Sequence, residues 1–348
     1  MIREAIADLV AGRSLSFEGA HDAMADIVDG HATSAQIGAF LMGFRMKGEG
    51  PDEIAGMATA MRERSATIRP PENGRVVDLC GTGAGRVTTF NVSTIAMFVV
   101  AAAGVTVAKH GNRAITSRCG SADLLEALGA RVDLDPPHVQ RILQAHGLCF
   151  MFAPKFHPAM QRASGPRREL GIRTVFNLLG PLTNPAGAKG HLLGVYGPDL
   201  VPLLSKVSAR LGMEHALVVY GDAGMDEICL CCHTMVAEVA DGATRQFVLK
   251  PEDLGFERVE PEALAGADPE TAAREAVRIL AGERGPKRDM LLANAAAGIY
   301  VGGKTASIEE ALPLAVEALD SGKAFETLRT FVRATGGNLS EVEVDGRA

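Results

Sequence analysis

The segment DLCGTGAGRVTTFN, Asp78 to Asn91, sets Gly81, Gly83 and Gly85 where a backbone must turn tightly and aim N–H groups at an anion. Thr88, Thr89, Asn91, Ser93 and Thr94 add hydroxyl and amide donors, and a helix starting near Ser93 offers the positive end of its dipole. That is phosphate chemistry, yet neither common phosphate loop is matched. A dinucleotide fingerprint needs a third glycine where Arg86 stands, and the Gly-Lys-Ser/Thr of a P-loop never follows. For this segment alone, a glycine-rich turn with a polar cap is the plain alternative.

A second loop, KHGNRAITSRCGS, brings Lys109, Arg113, Ser117, Arg118 and Ser121 to the end of another short strand. Two anion-seeking loops at neighbouring strand ends suit a ligand with more than one phosphate. His110 is a weak candidate for catalysis, and a hydrogen-bonded structural histidine is as good a reading. In RRELGIRTVFNLLGPLTNPA, Arg167, Arg168 and Arg173 surround a short apolar helix closed by Pro181. A guanidinium fork matches a carboxylate, with an ordinary ion pair to Glu169 or a neighbour as the default.

The segment YGDAGMDE ends a strand, and Gly221 and Gly224 predict a loop there. From a loop, Asp226 and Glu227 can share a cation, and Mg²⁺ commonly takes one or two carboxylates plus phosphate oxygens. The run CLCCH, Cys229 to His233, is too tightly spaced for the usual paired zinc ligands and falls where a strand is expected. It reads as core packing.

These loops need elements to hold them. The first 70 residues read as successive helices: TSAQ at Thr33–Gln36 has capping-box spacing, and Pro51 with two acids opens a helix carrying Ile54, Met57, Ala58 and Met61 on one face. No strand signal precedes residue 75. Short strand runs then follow at Val76–Cys80, Val105–Ala108, Leu148–Phe152, Leu192–Tyr196 and Ala216–Tyr220, with helical patterns between most of them. That alternation predicts an α/β fold whose parallel sheet is covered on both faces and binds ligands at the carboxyl ends of its strands. Asp241-Gly242 between alternating runs signals a hairpin, and the last hundred residues are mainly helical.

At 348 residues, with 47% hydrophobic and 22% charged, the chain is composed like a soluble globular protein. A net charge of −7 argues against a protein that coats nucleic acid. The opening MIREAIADLVAG lacks the pattern of a secretory signal, and the longest apolar run, Ile95 to Val105, is too short to span a bilayer. Six cysteines in this length suggest no disulfide framework. The expectation is a cytoplasmic protein with small-molecule partners, no nucleic acid and no membrane.

Taken together, GTG…TFNVST, KHGNRAITSRCGSAD, HPAM, RRELGIRTVFNLLGPLTNP, MDE and the late NAAAGIYVGGK make nearly the whole chain resemble the anthranilate phosphoribosyltransferases of tryptophan biosynthesis. The resemblance implies a small all-helical N-terminal domain over residues 1–70, with part of 167–187 packed onto it. It also implies a larger α/β domain over 71–348 with a mostly parallel central sheet, and a homodimer joined through the helical domain. Phosphoribosyl pyrophosphate would be held by Gly81, Gly83, Gly85, Thr89, Asn91, Ser93, Thr94, Lys109, Ser117 and Ser121. Asn112 and Arg167 would contact anthranilate, and Ser93, Asp226 and Glu227 would ligate Mg²⁺.

Two departures from the family's usual wording stand out. Gly85 in GTGAGR replaces the loop's acidic residue, and CLCC replaces a serine-rich stretch after the acidic pair. No general base emerges, which agrees with a nucleophile that is a neutral aromatic amine. Two other readings use the same fold: a pyrimidine nucleoside phosphorylase-like enzyme, and a non-catalytic nucleic-acid-binding paralogue. The wording of KHGNR and RTVFNLLGPLTNP disfavours the first, and the acidic balance with Asp226-Glu227 disfavours the second.

Overall fold

The computed structural model describes residues 1–72, 74–83, 85–114 and 118–341. It opens with four helices, α1 (Ile2–Val10), α2 (Phe17–Asp29), α3 (Ser34–Lys47) and α4 (Pro51–Glu63). The local signals explain their starts. Thr33 and Gln36 form the reciprocal capping box of α3, and Pro51 occupies the first turn of α4. Burial on α4 is wider than one face, since Ala55, Gly56 and Ala60 are buried along with the expected stripe.

Strands and helices then alternate: β1 (Val77–Gly81), α5 (Val92–Ala102), β2 (Val107–Gly111), α6 (Ser121–Ala127), α7 (Pro136–His146) and β3 (Leu148–Phe152). Next come α8 (Ala153–Phe156), α9 (Gln161–Leu170), α10 (Phe176–Leu179), β4 (Gly190–Gly194), α11 (Leu200–Arg210) and β5 (His215–Gly221). The chain finishes with β6 (Thr234–Ala240), β7 (Ala243–Leu249), α12 (Pro269–Leu280), α13 (Pro286–Val301), α14 (Ile308–Asp320) and α15 (Lys323–Ala334). The β6–β7 turn has Asp241 and Gly242 at φ of 50° and 77°, the two left-handed residues a tight hairpin requires.

The sheet runs β3-β2-β1-β4-β5-β6-β7, parallel through β5 and antiparallel beyond it. Strand order reverses between β1 and β4, and the crevice at such a reversal is where open α/β sheets bind ligands. Alternate side chains enter opposite cores. Leu192, Leu217 and Val219 pack with α5 and α13, whereas Leu193, Val218 and Tyr220 pack with α11 and the N-terminal helices. Ala163, Val175, Phe176 and Leu179 join that second core, so the segment from α9 to α10 lies against the helices of the N-terminus. The α5 and α13 helices are buried on nearly every side because α14 and α15 cover them. Among the described residues, no helix is long and apolar enough to cross a membrane.

Two expectations change. Lys109 and His110, read as the start of a loop, are the third and fourth residues of β2, which reaches Gly111. Cys229 to His233 lie in an irregular segment before β6, not in a strand. The reason is a clamp from far along the chain. The Asn294 amide of α13 accepts the Ile228 N–H at 3.1 Å and donates to the Ile228 carbonyl at 2.9 Å. That occupies both backbone groups of Ile228 and removes them from any ladder.

Candidate active site

The glycine loop leaves β1 at the sheet's reversal point, and a second loop closes over it from the end of β5. Gly194, at the end of β4, lies under the Asp226 backbone so tightly that a Cβ there would collide with the Asp226 carbonyl. Asp226 Oδ2 accepts the Gly83 N–H at 2.8 Å. Gly224 accepts the Arg86 N–H at 2.8 Å, and a side chain on Gly85 would begin 2.6 Å from that same carbonyl. Gly81, Gly83 and Gly85 thus form one surface with the acidic loop. Thr82 fixes the turn to β4, its N–H bonded to Gly194 and its hydroxyl to the Tyr196 N–H.

Residues around the start of α5 form a second group. The Asn91 amide donates to the Cys119 carbonyl at 2.9 Å, and the Thr94 and Ser121 hydroxyls are 2.9 Å apart. These bonds tie the first loop to the start of α6. Thr89 bridges to Ala265 on its other side. Lys109 is only 1% exposed. Its ammonium donates to the Leu79 carbonyl and, at 3.2 Å, to Ser93 Oγ. Burial drives its pKa down, against the pull of Cys80, Asp78 and Glu227.

Burial also raises the carboxyls of the acidic pair. For Glu227 the adjacent Asp226 pushes further the same way, and Lys109 opposes both. Two half-buried carboxylates side by side, faced by one buried ammonium, make a place that favours added positive charge.

His110 does not enter this group. It faces the opposite side of β2 from Lys109, lies with its ring tilted 57° to the His157 ring at 5.0 Å between centres, and is pushed down by burial to about 3. Its Nε2 is buried without a hydrogen-bond partner. Asn112 turns its Oδ1 to the Arg113 N–H at 2.8 Å. Arg167 lies in the last turn of α9, half-buried, with its guanidinium 4.9 Å from the centre of the Phe176 ring. The default ion pair with Glu169 is absent among the described residues. No hydrogen bond or ion pair among them ties Arg167 to the glycine loop either. Arg173 stacks on Tyr196 at 4.6 Å, and Arg168 is exposed. Ser117 lies outside the described residues.

Several supporting residues escaped the reading of motifs. Asp78, below the glycine loop, accepts the His110 N–H at 3.2 Å and the Asn184 amide at 2.6 Å. Asn184, the Asn of LTNP, also reaches the Ala108 carbonyl at 2.8 Å, so that motif staples β1 to β2. From the N-terminal helices, Arg62 donates to the Leu182 carbonyl at 2.7 Å.

Known proteins share this fold. The helical bundle domain of the glycosyl transferase family matches residues 3–65, and the a/b domain of that family matches residues 73–325. The anthranilate phosphoribosyltransferase of Methanococcoides burtonii is 50% identical over 335 residues, covering 96% of this chain and 94% of its own. The crystal structure of the Thermus thermophilus anthranilate phosphoribosyltransferase superposes with a TM-score of 0.91 at 43% identity, over 95% of this chain and 99% of that one. The Saccharomyces cerevisiae enzyme, solved in complex with PRPP and Mg, gives 0.88 at 29% identity, over 96% and 98%.

Proposed function

The chain belongs to the anthranilate phosphoribosyltransferase family, and on that premise we propose that it transfers the phosphoribosyl group of phosphoribosyl pyrophosphate to the amine of anthranilate, with Mg²⁺. The observation that carries the site is the acidic loop closed on the glycine loop at the sheet's reversal point, with Asp226 on the Gly83 N–H. In this reading, Gly81, Gly83, Gly85, Thr89, Asn91, Ser93, Thr94, Lys109 and Ser121 bind the sugar donor, and Ser117 completes the set. The loop N–H groups and the start of α5 take the pyrophosphate, with a donor oxygen displacing the Asp226 carboxylate from Gly83. Asp226, Glu227 and Ser93 hold the cation. The half-buried acid pair suits it, since hard cations take carboxylate and hydroxyl oxygens and offset the desolvation that raises both acids. Bound there, Mg²⁺ would neutralise charge that develops on the leaving pyrophosphate.

The amine nitrogen attacks the anomeric carbon as the bond to the pyrophosphate oxygen breaks, and the sugar gains oxocarbenium character. Lys109 contributes a fixed buried charge beneath the leaving group, and preorganised charge of this kind lowers such barriers most. Arg167 grips the anthranilate carboxylate while stacked on Phe176, and Asn112 positions the ring. A neutral amine needs no base to begin the attack, so His110 serves structure. We take the helical domain as residues 1–70 with part of 167–187, and the α/β domain as 71–348. The enzyme is a cytoplasmic homodimer joined through the helical domain, where α1 and α3 leave Val10 and Met46 78% and 84% exposed.

The test follows anthranilate fluorescence with phosphoribosyl pyrophosphate, with and without Mg²⁺, for the parent and for Asp226→Asn with Glu227→Gln. Consumption should require donor and cation together, and the double variant should lose it while keeping its fold. Phosphorolysis of thymidine or uridine without any use of anthranilate would overturn the reading.

A further inference from the structure

Cys229, Cys231 and Cys232 sit just beyond the acidic pair, and their three sulfurs lie within 4.8 Å of one another. Cys229 is buried, and the other two are half-buried at the surface of the main core. Because residues 229–233 are irregular, the side chains do not alternate between faces as they would in a strand. They converge. Cys229 Sγ and Cys231 Sγ are 3.1 Å apart.

Two backbone N–H groups point at these sulfurs. The Cys231 N–H reaches Cys229 Sγ at 3.2 Å, and the Ala223 N–H reaches Cys232 Sγ at 3.3 Å. Donors aimed at sulfur stabilise thiolates and orient them as ligands. Simple core packing calls for neither convergence nor N–H donors. A disulfide would use two of the sulfurs and leave the third unexplained.

We propose that Cys229, Cys231 and Cys232 form a three-thiolate site for a soft d¹⁰ cation, zinc(II) or copper(I), separate from the oxygen-ligand site at Asp226 and Glu227. Three sulfurs bound at about 2.3 Å around a tetrahedral centre are about 3.8 Å apart, within roughly 1 Å of the spacing here. Thiolates select such ions over Mg²⁺. The exposed side of Cys231 and Cys232 leaves entry and a fourth position to water. The site does not depend on the identity of the reaction, so its failure would leave the proposed function intact.

The reduced, metal-free full chain is titrated with Co²⁺ as a spectroscopic probe, then with Zn²⁺. A thiolate-to-cobalt charge-transfer band should saturate at one equivalent, persist in excess Mg²⁺ and bleach with Zn²⁺. Cys231→Ser with Cys232→Ser should abolish the band while melting, without metal, as the parent does. If that pair fails to fold, Cys232→Ser alone should weaken Co²⁺ binding at least about tenfold. Absence of the band in the parent, or an undiminished band in the folded variant, overturns the proposal. So does a purified chain whose mass is two hydrogens short, since that marks a disulfide in place of the site.

Discussion

Lys109 is a residue whose value lies in its depth. A lysine at 1% exposure needs partners, and it has the Leu79 carbonyl, Ser93 Oγ and the charge of Glu227. Lys109→Met removes a buried cation whose charge opposes the rise of the Glu227 carboxyl. Glu227 would then keep its proton to higher pH, and Mg²⁺ would compete against that proton. Mg²⁺ titrations of turnover at several pH values should show a raised Mg²⁺ requirement that relaxes as pH rises. A requirement matching the parent's at every pH would show that the two side chains do not communicate. Arg167 poses the opposite case, a guanidinium stacked on Phe176 with no carboxylate partner among the described residues. Arg167→Ala should raise the anthranilate KM roughly 10- to 100-fold, the worth of a charged hydrogen bond, and leave the donor KM within about twofold. Equal losses on both substrates would make Arg167 a packing residue and turn attention to Arg173.

At the level of elements, the two loops behave as one. A Cβ on Gly85 would lie 2.6 Å from the Gly224 carbonyl, so any side chain there must push the acidic loop, and Asp226 with it, away from Gly83. Gly85→Ala and Gly85→Asp should therefore both raise the Mg²⁺ needed for half-maximal turnover several-fold. Inhibition at high Mg²⁺ should appear in the Asp variant alone, because only it adds a ligand. An Ala variant that titrates like the parent would mean that the loops part freely. Much of this architecture was legible in the sequence because its signals are local: the capping box at Thr33, the hairpin at Asp241-Gly242 and the glycines after β1 and β5. What stayed hidden is long-range. No local pattern shows Lys109 buried in β2, because its partner is the Leu79 carbonyl of the neighbouring strand. Nor could Cys229 to His233 be seen to leave the sheet, when the cause is Asn294, 66 residues beyond Ile228. The Asn of LTNP reads as a turn residue until Asp78 and the Ala108 carbonyl are placed beside it.

Across the whole molecule, burial has set charges in opposite senses. His110 and His191 are pushed down to about 3, and His157 to about 4, in each case chiefly by burial. An unfolded histidine titrates near pH 6.5, so below that the unfolded chain takes up protons that the folded one refuses. Stability is therefore full above about pH 6.5 and falls as pH drops toward the folded values, by up to about 1.4 kcal/mol per pH unit for each histidine. Asp226 and Glu227 work the other way. Their carboxyls are raised on folding, so without metal the folded chain binds protons that the unfolded one has released, and acidification stabilises it. Elsewhere, burial tends to raise Glu238, but hydrogen bonds from His215, Tyr300 and Arg245 outweigh it and hold the group near 2, so its contribution is full above about pH 4.5, is lost below that, and is common to the parent and the variant. In metal-free buffer the histidines and the acid pair thus offset one another between about pH 6.5 and 4. Asp226→Asn with Glu227→Gln deletes the opposing pair and leaves the histidines. Its unfolding free energy, from urea midpoints across that range, should fall more steeply with acid than the parent's. At neutral pH the double variant should be the more stable of the two, because it no longer carries two carboxyls whose charged form burial disfavours. Parallel curves would mean that the acid pair is not raised on folding, and the cation would then bind a pair that is already fully ionised.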